Sequence, residues 1–87
     1  SYMTIGRVLE GMDDYSKALS FYTKTLHIYQ KTLNIDHPDF ASLHHAMGSV
    51  YFELEDDSNA LLSYEKAMTI WQKILSPDHP NLATLFN

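Results

Sequence analysis

The 87 residues predict an all-α protein, a solenoid built from stacked antiparallel helix hairpins. Three observations lead there. A block of sequence repeats at a fixed interval. Within each block the apolar residues step by three and four. Capping and turn residues interrupt those stripes at matching places in both copies.

The repeat is explicit. Asp36-His37-Pro38 returns as Asp78-His79-Pro80, 42 residues further on. Laying Asp14–His45 over Asp56–Asn87 aligns 32 pairs, and 15 of them are identical. Unrelated helical sequences would not agree so well in register. A period between roughly 20 and 50 residues is the mark of a solenoid or array, in which each unit buries its apolar face on a neighbour.

The elements follow in order. A first helix is expected at about 2–11, around Gly6 and Leu9. The second, at about 14–33, carries Tyr15, Leu19, Tyr22, Leu26, Tyr29 and Leu33 on one stripe, with Asp14 placed to accept its orphan N–H groups. The third, at about 38–54, opens on Pro38, whose missing N–H costs nothing in a first turn, and presents Phe40, Leu43, Met47, Val50 and Leu54. The fourth, at about 57–75, follows Asp56 and repeats the long stripe as Leu61, Tyr64, Met68, Trp71 and Leu75. A further helix starts near 80 with Leu82 and Leu85. The chain reads as a single unit over 1–87, with repeat 1 at about 1–35, repeat 2 at about 36–77 and the start of a third repeat at 78–87. A coiled coil is the rival for such stripes. It is disfavoured because each stripe lasts about three heptads before turn residues fold the chain back.

Composition narrows the functions. There is no cysteine, so neither disulfides nor thiolate metal sites supplement the core, and a cytoplasmic setting fits. No apolar run approaches the roughly 20 residues of a membrane helix, and no membrane role is expected. Eleven acids against six bases give a net charge of −5, which argues against a nucleic-acid partner. Lys17, Lys24 and Lys31 stand seven apart and read as a solvated helix face.

The pattern Gly48, Tyr51, Ala60, Tyr64, Ala67 resembles the small-and-aromatic code of tetratricopeptide repeats. Gly6, Leu9, Ala18, Tyr22 and Thr25 stand at the same spacings in the first unit. The physical logic is close approach: glycine and alanine let helices near one another, and aromatic rings fill the remaining gap. The long period, with Ile28-Tyr29-Gln30-Lys31 and Ile70-Trp71-Gln72-Lys73 each followed by Asp-His-Pro, is similar to the repeats of kinesin light chains.

That resemblance implies a protein–protein interaction scaffold holding a peptide or partner protein in a concave groove. It implies neither an enzyme nor a cofactor. The groove positions carried over from the family are Met3, Arg7 and Glu10, then His45, Ser49, Phe52 and Glu53, and finally Asn87. Only Asn87 retains the asparagine common at one groove position. The lysine–asparagine set that clamps a C-terminal carboxylate in chaperone-binding relatives is not among these positions. The alternative is a structural spacer or a self-associating module, a homo-oligomer through solenoid ends where Ile5 and Val8 stand on one side and Trp71, Leu82 and Phe86 on the other.

Other chemistry has weaker support. His37 and His79 repeat in register, which fits a structural place at a helix start. His44 and His45 are neighbours and diverge by about 100° on a helix, so His44 is expected to pack and His45 to face the groove. Glu53, Glu55, Asp56 and Asp57 lack the alternating spacing and central glycine of a calcium loop. No serine or tyrosine has a base and an orienting group in sequence reach that would make it a nucleophile.

Overall fold

Two turns of the same build fold the helices back on one another. The computed structural model describes residues 1–75, which form α1 (Tyr2–Gly11), α2 (Tyr15–Thr32), α3 (Pro38–Glu53) and α4 (Asp57–Leu75). After α1 the N–H of Asp14 donates to the Leu9 carbonyl at 2.9 Å and that of Asp13 to Glu10 at 3.0 Å. After α3 the N–H of Asp56 donates to Tyr51 at 2.8 Å and that of Glu55 to Phe52 at 3.0 Å. This paired pattern is the Schellman ending, which needs a left-handed residue. Asp13 supplies it at φ 64° and Glu55 at φ 62°, again 42 residues apart. Neither is glycine.

The helix starts were expected to rest on Asp14, Asp56 and Pro38. Asp56 accepts the Asn59 N–H at 3.4 Å through one carboxylate oxygen and the Asn59 side-chain amide at 2.7 Å through the other. Asp14 occupies the cap position but its side chain makes no capping hydrogen bond; it sits 3.8 Å from Lys17 instead. That is a correction to the sequence reading. Pro38 does open α3, and His37 is its cap, with Nδ1 accepting the Asp39 N–H at 3.0 Å. His37 therefore serves the helix start. His79 and the helix expected near 80 lie outside the described residues.

Side-chain size dictates how the hairpins close. Gly6 of α1 lies under the ring of Tyr22, and Gly48 of α3 lies under Tyr64, at distances where no Cβ would fit. Ala18 and Ala60 are buried in the same hairpins. Between the hairpins, Ala18, Tyr22, Leu43, Ala46, Met47 and Val50 form the main core, flanked by Leu9, Leu19, Leu26 and Tyr29. A second cluster joins Phe40, Ala41 and Ile70 at the other end of α3. Burying one such side chain as fully as Leu43 contributes roughly 1.5–3 kcal/mol.

The two long helices share a stripe but not its fate. On α2 the stripe from Tyr15 to Leu33 is buried or half-buried, because α3 covers it. On α4 the matching Leu61, Met68, Trp71 and Leu75 are exposed, with Tyr64 half-buried. What α4 buries is a narrower face, Ala60, Ser63, Ala67 and Ile70, turned toward its own partner α3.

Candidate functional site

The candidate groove runs along α1 and α3, the first helix of each hairpin, which touch one another. A 42-residue shift superimposes Met3, Arg7 and Glu10 on His45, Ser49 and Phe52. Each trio steps by four and then three and so shares one helix face.

The side chains on that face are not equally free. Met3 is half-buried against the Ala18–Val50 cluster, so part of it belongs to the packing between hairpins. Arg7 is exposed. Glu10 accepts a 2.7 Å hydrogen bond from the Tyr22 hydroxyl, which ties it to α2. Burial, then that bond and the Glu10 charge, push the Tyr22 phenol well above its ordinary range. Ser49 shares a 3.2 Å hydrogen bond with the Tyr64 hydroxyl. His45 is exposed, its ring 5.3 Å from that of Tyr64 and 5.8 Å from Trp71. Phe52 is 61% exposed, and Glu53 beside it is exposed as well. Asn87 lies outside the described residues.

One end of the face is acidic. The Tyr15 hydroxyl donates to Asp13 at 2.8 Å, and its pKa is pushed up to about 12. The hydrogen bond to Asp13 is the main cause; desolvation and the charges of Asp13, Glu53 and Glu10 add to it. Glu10, Asp13 and Glu53 thus converge on one phenol.

The helices, the glycine-under-tyrosine closures and the repeat of the hairpin turns fit one family. A tetratricopeptide repeat model matches residues 1–68 and, overlapping it, residues 39–87. The chain belongs to the tetratricopeptide repeat family. No curated protein and no solved structure matches it. Tetratricopeptide repeats generally mediate contacts between proteins and are generally non-catalytic scaffolds.

Two features of this tetratricopeptide unit were not legible as sites in the sequence. The lysine row is one. Lys24 lies over the rings of Phe21 and Tyr2, 4.9 and 5.6 Å from their centroids, while Lys17 sits near Asp14. The other is a cavity of about 570 Å³ between α2 and α4, floored by α3, which shares no residue with the groove. His44 lines it, half-buried and stacked on Phe40 with centroids 6.3 Å apart. As expected, His44 packs. Burial, then the Lys66 charge, hold its imidazole below the usual histidine range. Among the described residues no three histidines or carboxylates are grouped as a metal site, and no helix is long and apolar enough to cross a membrane.

Proposed function

We propose that this chain is an adaptor module that holds a peptide or partner protein along the face of α1 and α3, as a repeat of the kinesin-light-chain-like type working in the cytoplasm. The observation that carries the reading is Phe52. A large apolar side chain in the middle of an otherwise polar face gains most from being covered by a partner. Arg7, His45, Ser49 and Glu53 surround it with hydrogen-bonding and charged groups that can fix the register of a bound segment, and Met3, Glu10 and Asn87 complete the surface.

The test is a peptide selected from a displayed library on the intact chain, followed by NMR shift mapping. Shifts at Arg7, Ser49 and Phe52, lost when Ser49 and Phe52 are both replaced by glutamate, support the adaptor. Selected peptides whose binding ignores those replacements sink it.

A second reading, a self-associating solenoid module, is favoured by the exposed stripe of Leu61, Met68, Trp71 and Leu75 on α4. Sedimentation over a range of concentrations separates the two. Mass that grows with concentration, and stays monomeric when Met68 and Trp71 become glutamate, favours self-association.

A further inference from the structure

A second cleft shows that the cavity between α2 and α4 belongs to the repeat rather than to an accident of packing. This smaller cleft, of about 390 Å³, is lined by Tyr2, Thr23, Lys24, His27 and Ile28. Moved by 42 residues, these five become His44, Glu65, Lys66, Thr69 and Ile70, and all five line the larger cavity. The larger cavity, at about 570 Å³, falls within the range of roughly 300–1,000 Å³ occupied by small-molecule sites. Its lining is mainly apolar, with Leu26, Leu33, Phe40 and Ile70 inside and the exposed Ile35 and Leu62 at the rim.

The two clefts differ in what holds their lysine. Lys24 has the faces of Phe21 and Tyr2 under its ammonium group. At the matching positions around Lys66 stand Ser63 and His44, so neither aromatic ring of the first unit is repeated. Lys66 forms no ion pair among the described residues, whereas the other lysine of the cavity, Lys73, is 3.3 Å from Asp36. Glu65 is the remaining carboxylate of the lining. At the inner end, beside His44, the charge that acts on the imidazole is that of Lys66.

We infer that this cavity is a binding site for a small amphipathic carboxylate, its alkyl or aryl body on Leu26, Phe40 and Ile70 and its anionic head at Lys66. The complement of an apolar cleft with one uncommitted cation at its inner end is an apolar body with one anion. A cationic amphiphile of the same length would meet Lys66 as a like charge. The site is independent of the groove on α1 and α3, so either can fail without the other.

The experiment is an NMR titration of the whole chain with octanoate and, separately, with octylammonium. Octanoate is expected to shift His44, Leu62 and Ile70 and to bind more tightly than octylammonium. Lys66→Gln should weaken octanoate about three- to fivefold, the measure of a solvent-accessible ion pair, and Lys66→Glu should reverse the preference. Lys24→Gln, on the neighbouring repeat, should leave the affinity unchanged. No binding of octanoate, equal affinity for the two head groups, or shifts confined to another face would each overturn the assignment.

Discussion

A Cβ built on Gly6 would fall 2.6 Å from Cε1 of Tyr22, closer than any side chain tolerates. The ring occupies the space a side chain would need, and α1 meets α2 across it. Gly48 and Tyr64 repeat the relationship at 2.9 Å. Tyr22 is fully buried, so its ring has nowhere to go, while Tyr64 is half-buried and can tilt outward. Gly6→Ala is therefore expected to destabilise by about 1–3 kcal/mol, and Gly48→Ala by less. Gly11 has nothing within 4 Å of such a Cβ. There alanine should be neutral or gain up to about 1 kcal/mol through helix propensity. Urea unfolding of the three variants checks the order.

The left-handed residues in the two hairpin turns offer a stabilising change. A left-handed conformation costs a non-glycine residue about 1–2 kcal/mol, and aspartate suffers less than most. Glu55→Gly should raise stability by roughly 1 kcal/mol. Asp13→Gly should gain less, because Asp13 tolerates the conformation better and also accepts the Tyr15 hydroxyl. Unfolding midpoints of the two glycine variants, compared at equal slope, decide this.

Alkaline pH should unfold the chain through its tyrosines. Tyr22 and Tyr29 both have pKa values raised chiefly by burial, with Glu10 adding for the first and Asp39 for the second. Unfolded tyrosines ionise near pH 10. Above that pH the unfolded chain holds fewer protons than the folded one, so stability falls as pH rises through the folded pKa. Tyr22→Phe should lower stability at neutral pH by about 1–2 kcal/mol, the worth of a hydrogen bond to a charged group. It should also flatten the loss above pH 10, which thermal melts from pH 8 to 11 would record.

On the acid side the group to watch is His44. Its pKa is lowered by burial and then by Lys66. An unfolded histidine takes up its proton near pH 6.5, before the folded one does. The stability held above that pH is lost as pH falls toward the folded value and levels off below it. His44→Phe, which keeps a ring against Phe40, should lose less stability between pH 7 and 5 than the parent chain. Equal losses in the two proteins would show that His44 does not titrate this way.

Much of this was written in the residue order. Helix limits of 2–11 and 57–75 coincide with α1 and α4, and those expected at 14–33 and 38–54 each overran α2 and α3 by one residue at an end or two. Capping and proline signals act within a few residues, so they survive without tertiary context. The glycine–tyrosine closures were visible too, as small and large residues recurring at equal spacing. The left-handed turns at Asp13 and Glu55 were not, because neither carries the glycine that usually announces them. The groove positions were readable as a shared face, but the sequence could not say that Tyr22 would take Glu10 or that Tyr64 would reach Ser49.

The duplication and the helical spacing, taken alone, determined an all-α array with apolar stripes on every helix. Tertiary structure decided which stripes are covered. Tyr22 and Leu26 on α2 lie under α3, while their counterparts Tyr64 and Met68 on α4 stand half-buried and exposed. Nothing in the local sequence distinguishes them, since periodicity places side chains on a face and only a neighbouring element removes that face from water. The same holds for Lys24 and Lys66. They are identical residues one repeat apart, and the aromatic rings brought by the fold beside the first are replaced by serine and histidine beside the second.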